Sequence, residues 1–316
     1  MKNCIKKICC SLALLGTTVP GSALAYDLPP VNLGLTSFLD GAPPAGPGLY
    51  FQEYVMYYSA DSLKDGNGND IPLPGPKLDN WLSLSQLIYQ SDKAVLLDGK
   101  LGVNCMIPLV SLDFSPTITG LQDNGTGFGD LLIGPFLQWD PVMGTNGPRF
   151  MHRIELQMIF PTGKYNDDRA LNPGSNFFSF NPYWAGTFFM TPQWTASWRL
   201  HYLWNGKNDQ PNIHTFPGAE DTQAGQAIHA NLSSDYEVIP NTLRLGVNAY
   251  YLDQITDTKM DGHNVSGRQE KVLGIGPGGV YHFSPDNHLF VNVYFESAVE
   301  NRTDGERINV RYVHHF

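Results

Sequence analysis

Ile308-Asn-Val-Arg-Tyr-Val-His-His-Phe316 closes the chain, and its alternation decides the fold. Ile308, Val310, Tyr312, His314 and Phe316 share one parity, mostly apolar or aromatic. Asn309, Arg311, Val313 and His315 share the other, mostly polar. A strand sends the two sets to opposite faces. An aromatic last residue on such a strand is how an outer-membrane β-barrel ends, one face to lipid and the other to the lumen. Tyr312 and Phe316 are therefore read as the C-terminal barrel signal.

The other end predicts export. Lys2, Lys6 and Lys7 precede a short apolar core, Ile8 to Leu15, and Ala23-Leu24-Ala25 is a small-x-small cleavage site. Residues 1–25 read as a signal peptide. No later stretch approaches the ~18 uninterrupted apolar residues of a membrane-spanning helix. Cys4, Cys9 and Cys10 fall in the signal, without a lipoprotein context. Only Cys105 remains, so an internal disulfide and a thiolate zinc site are excluded. Removing three of the 20 basic residues leaves 17 against 30 acids, net −13. That argues against a nucleic-acid partner. Aromatics make up 12% and charged residues only 16%, below the roughly 25% charge of a soluble domain. An exterior facing lipid at every second residue explains both.

Twelve strands are predicted. In the clearest, Trp194, Ala196, Trp198, Leu200, Tyr202 and Trp204 oppose Gln193, Thr195, Ser197, Arg199 and His201. Segments 101–109, 150–160, 243–251 and 289–295 alternate as regularly; 49–59, 81–90, 127–139, 181–190, 223–237 and 270–283 do so more weakly. Connections alternate long and short along the chain, as in a barrel with long extracellular loops and short periplasmic turns. Segment 299–306 reads as a moderate loop, as does 91–99. Trp194 and Trp204 bound one apolar face. At about 3.3 Å per residue and a tilt of about 40°, they lie roughly 25 Å apart along the membrane normal, as aromatic girdles do. Both barrel termini are expected in the periplasm, with 26–48 a Pro/Gly-rich periplasmic or plug segment and 49–316 the barrel.

Arg153, Glu155, Arg199, His201, Arg244, Asn248, Asn292, Glu296, Asn309 and Arg311 fall on the polar parity and are candidates to line the lumen and its permeation path. Cross-strand ion pairing alone would also account for each of them. Together they predict a wet, mixed-charge interior. Asp65-Gly-Asn-Gly-Asn-Asp70 resembles part of a calcium loop without the distal Glu that closes one, and reads as a solvated tip. Gly125 to Asp130 lacks the helix and Lys-Ser/Thr of a phosphate cradle, so its glycines, like Gly274 to Gly279, serve bending or close packing, with a bulge or kink at Pro277. The nine histidines show no metal spacing, and His314 and His315 point to opposite faces. Ser197 and His201, about 13 Å apart on one face, are too distant to react together. No catalytic residue, metal or cofactor is expected.

Asp27 to Gly34, Asp40 to Gly48, Gly127 to Leu131, Phe160-Pro-Thr-Gly-Lys-Tyr165 and Glu296 to Gly305 resemble the family of outer-membrane proteins associated with the meta-pathway of phenol degradation. The resemblance spans nearly the whole chain after the signal and rests on short Gly- and Pro-rich motifs. It implies an outer-membrane barrel and passage of small hydrophobic or aromatic compounds, and carries no defined site residues. The expected partners are outer-membrane lipid, the barrel-assembly machinery and such small molecules, with the oligomeric state open. A general porin for polar solutes, a lipid hydrolase and an adhesive barrel are the alternative readings.

Overall fold

The structure is a computed structural model that describes residues 27–43, 45–115 and 122–316. The expected signal peptide, and Tyr26 after it, lie outside the described residues. Twelve antiparallel strands form a closed barrel. They are β1 (Gly48–Leu63), β2 (Lys77–Leu96), β3 (Gly99–Ser115), β4 (Thr126–Phe128 and Leu131–Gln138), β5 (Gly147–Glu155 and Met158–Phe160) and β6 (Ser179–Phe180 and Tyr183–Phe189). The second half comprises β7 (Trp194–Asn205), β8 (Ala227–Ile239), β9 (Leu243–Gln254), β10 (Lys271–Ser284), β11 (Asn287–Glu300) and β12 (Thr303–His315). Each strand pairs with the next, and β12 returns to β1, with Tyr50 opposite His315 and Leu63 opposite Thr303. Closure satisfies every wall's backbone groups without an edge. No helix among the described residues is long and apolar enough to cross a membrane.

Alternation does what the sequence predicts. Leu87, Ile107, Val247 and Phe295 point outward and are 53, 51, 56 and 52% exposed. Gln86, Ile88, Met106, Pro108, Asn248 and Tyr294, next to them along each strand, are buried inside. Cys105 lies on the outward parity of β3, half-buried.

One rim carries two- to four-residue turns at 97–98, 190–193, 240–242 and 285–286, plus the 139–146 hairpin. The other carries loops 64–76, 161–178, 206–226 and 255–270. Four short strands, Lys207–Asn208, Thr222–Gln223, Thr258–Met260 and His263–Val265, knit the last two loops into a small sheet over that rim.

Two connections and one strand interior differ from expectation. β11 and β12 run through most of 299–306 and meet in a two-residue turn, Asn301–Arg302. Asn301 takes φ +53°, which its short polar side chain tolerates. β2 and β3 likewise extend into 91–99 and turn at Leu97 and Asp98, both left-handed at φ +50° and +60°. Polar residues, Ser91 to Lys93 in β2 and Glu300 to Asp304 at the β11–β12 tip, interrupt the alternation there. Pro277 produces no bulge: Ile275 pairs with Phe295 and Gly278 with Asn292 in unbroken register. The β10 glycines give room instead, since a Cβ at Gly274 would meet the Tyr250 ring.

Candidate functional site

Residues 27–43 and 45–47 belong to a strap that runs the length of the barrel interior. At the loop rim Arg268 grips Asp27 with its carboxylate 2.6 Å away, and Glu270 accepts the Asp27 and Leu28 amides at 2.9 Å each. Arg302 pairs with Glu270. Lower down, the Gly34 amide donates to Asn231 of β8 (2.7 Å), and Asn309 of β12 donates to the Leu35 carbonyl (3.1 Å). Arg307 donates to the Leu33 carbonyl. The Leu39 amide then meets Ser197 of β7 (3.1 Å) and the Gly41 amide meets Thr187 of β6 (2.8 Å). Between them Asp40 takes a two-pronged bond from Arg199, both contacts 2.7 Å. At the turn rim Tyr50 donates to the Gly46 carbonyl (2.6 Å), and the chain enters β1. The barrel wall therefore starts and ends at one rim, but Asp27 lies at the other; the expectation that both termini share a side fails for the strap.

The interior is less wet than predicted. Phe38 of the strap, 1% exposed, packs with Tyr50, Ile88, Phe136, Val280, Phe290 and Val313 from β1, β2, β4, β10, β11 and β12. Side chains from opposite walls thus meet around one ring on the turn side of the lumen. Two more apolar clusters surround the strap nearer the loops, one centred on Leu33, Tyr250 and Tyr294, the other on Leu35, Tyr54 and Met106. Inward parity was legible, but several inward residues are Tyr, Phe, Met and Leu, whose role appears only once the strap supplies an apolar partner.

The polar candidates point inward and divide into two groups. Glu155, fully buried, accepts from Tyr183 (2.5 Å) and Asn104 (2.9 Å). Arg199 stacks 4.2 Å over the Tyr183 ring, and Arg153 lies 5.1 Å over Phe136. His201 stacks on His229 at 4.0 Å. Across the lumen, Arg244 pairs with Asp235, and Glu296 accepts from Tyr58 (2.7 Å) and Tyr250 (2.6 Å). Asn248 and Asn292 flank Gly278, and Arg311 stacks 3.8 Å over Phe290. Ser197 bonds Thr187 (2.9 Å) and the strap, so the structure does not join it to His201. Trp194 and Trp204 are outward, 46 and 38% exposed. Outward too are Tyr312, bonded to Asn287 (2.7 Å), and the exposed Phe316. In the calcium-like loop Asp65 is spent on the Asn67 and Asn69 amides and Asp70 on Lys64. No group of three or more metal-ligating side chains occurs among the described residues.

Two neighbouring cavities flank the strap on its β1–β4 side. The outer, about 270 Å³, opens towards the loops and is lined by Leu28, Val31, Leu82, Phe114, Leu171 and Phe216 among others. The inner, about 80 Å³, lies deeper against Leu84, Met106, Leu132 and Ile159, and ends at Arg199. Val31, Leu35, Leu82 and Val110 border both. Sequence reading missed these residues because single apolar side chains on the inward parity carry no distinctive spacing. It also missed Thr187, Asn231 and Arg307 as holders of the strap, although the Pro- and Gly-rich composition of 26–48 marked an irregular segment.

The family model described as "Putative MetA-pathway of phenol degradation" matches residues 60–312. The chain belongs to this family. Its barrel is similar to an outer-membrane channel from Pseudomonas putida F1, at 20% identity over 91% of this chain and all of that one, with a TM-score of 0.75. The family member thus shares the fold of an outer-membrane channel. A mutant of the monoaromatic hydrocarbon channel TodX covers 92% of this chain and all of its own at 11% identity, with a TM-score of only 0.45. No curated protein matches the sequence.

Proposed function

We propose that this protein is an outer-membrane channel for passive uptake of small hydrophobic or aromatic molecules, with the strap 27–47 as its gate. One observation carries the reading: two mostly apolar cavities, about 270 and 80 Å³, lie inside the barrel between strap and wall. A permeant that partitions from water into such pockets gains roughly 25 cal/mol per Å² of apolar surface removed from water. A sugar gains little there and leaves polar groups unmatched. Membership of a family named for phenol degradation and the channel fold support the same direction.

In this reading the loop rim faces outside and the turn rim the periplasm. Trp194 and Trp204 sit at the two bilayer interfaces, and the Tyr312 and Phe316 strand is the one the assembly machinery engages. Among the inward polar candidates Arg199 and Asn309 hold the strap, and the others remain the candidates to border the permeation path. Deleting residues 28–46 and comparing aromatic and sugar flux in liposomes tests the proposal. The parent should admit toluene or phenol and exclude sugars, and the deletion should admit both. Sugar flux through the parent, or identical flux after deletion, defeats it.

A further inference from the structure

Charge in the outer cavity is not balanced. Three arginines border it, Arg169, Arg302 and Arg307, against one acid, Asp27. Asp27 is held by Arg268, Arg302 pairs with Glu270, and Arg307 faces Glu296 at 3.8 Å. The side chain of Arg169, half-buried on the 161–178 loop, has no hydrogen-bond or ion-pair partner among the described residues, although its backbone bonds Asn166 and Asn172. The neighbouring Asp168 is engaged by His214 at 2.8 Å. The cavity therefore presents one uncommitted cation above walls that are otherwise mostly apolar.

We propose that this cavity is a binding site for a small hydrophobic carboxylate, such as an aromatic acid with one ring, and that Arg169 takes its anionic head. The inference rests on the uptake reading above and names the class of permeant. A guanidinium holds a carboxylate with two parallel bonds, which a neutral arene or an ester cannot accept in the same way. The ring then lies among Leu28, Val31, Leu82 and Phe216, and the inner cavity continues the apolar path beyond Val110. A volume of about 270 Å³ suits one ring with a short chain and is too small for a membrane lipid.

The full-length protein in detergent, titrated calorimetrically with 3-phenylpropionate and with its methyl ester, provides the test. The acid should bind about tenfold more tightly than the ester, and the difference should shrink as salt is raised to about 0.5 M. In Arg169→Gln the acid-to-ester ratio should fall to about one, and Arg169→Lys should restore part of it. The salt series needs no variant, so it stands even if a substitution disturbs the loop. Equal binding of acid and ester by the parent overturns the inference, as does a ratio that survives Arg169→Gln. If the ester still crosses liposome membranes in that case, the uptake reading stands alone. If neither compound crosses, both readings fall.

Discussion

Asp40→Ala should release the strap. Asp40 and Arg199 are buried together, their side chains 5 and 4% exposed, and share two contacts of 2.7 Å. Removing one partner of such a pair leaves a buried charge unmet, at a cost of about 3–5 kcal/mol. The lower figure applies here, because Arg199 keeps its stack on Tyr183, whose hydroxyl leads to Glu155. About 3 kcal/mol corresponds to a shift of roughly 10²-fold towards the undocked strap. Three neutral bonds remain at Leu39 and Gly41, to Ser197, Thr187 and Gln138, each worth about 0.5–1.5 kcal/mol. The strap should therefore open more often without leaving for good. In planar bilayers the occupancy of the open state should rise about a hundredfold. Replacing both partners, Asp40→Leu with Arg199→Met, removes the stranded charge and should return the channel towards its closed state. A folded Asp40→Ala barrel with the parent's open occupancy would refute the view that this ion pair holds the gate.

Phe38→Ala removes the ring that the turn-side apolar cluster surrounds and should cost about 3–5 kcal/mol of strap docking, read as a rise in conductance to small ions. Leu97→Asn should raise stability by a few tenths of a kcal/mol to about 1, because Leu97 and Asp98 both occupy left-handed backbone in a two-residue hairpin turn that favours Asn; urea unfolding in detergent measures it. Asp261 accepts the Glu220 and Asp221 amides at 2.8 and 3.0 Å, and these bonds hold its carboxyl below the usual aspartate range. A carboxylate lowered in the folded state contributes above its unfolded pKa, and the contribution fades as pH falls through the folded value. The union of the two capping loops should thus persist at neutral pH and loosen only in strong acid; NMR titration of labelled aspartate should find Asp261 below a free aspartate.

The barrel was legible because period-2 alternation needs no partner to be recognised: the Trp194–Trp204 face and the Ile308–Phe316 tail each declare an outside and an inside. Strand ends were less legible. β11 and β12 continue through Ser297 and Asp304, polar residues that the alternation of a lipid-facing strand does not predict. The interior was least legible. Arg199 reads as a lumen charge until Asp40, 159 positions away in sequence, is seen to meet it. Leu33, Leu35 and Phe38 read as an irregular lead-in, because their apolar partners are contributed one or two at a time by separate walls.

The strap also has a mechanical meaning. It is fastened to β12 and β8 through residues 33–35 and to β6 and β7 through residues 39–41, and β6 stands diametrically across from β12. A hoop crossed by such a spoke resists being squashed into an ellipse. Once the spoke lets go, the outline of the cylinder answers to the lateral pressure of the surrounding lipid, so bilayer composition becomes a control on how wide the pore can grow.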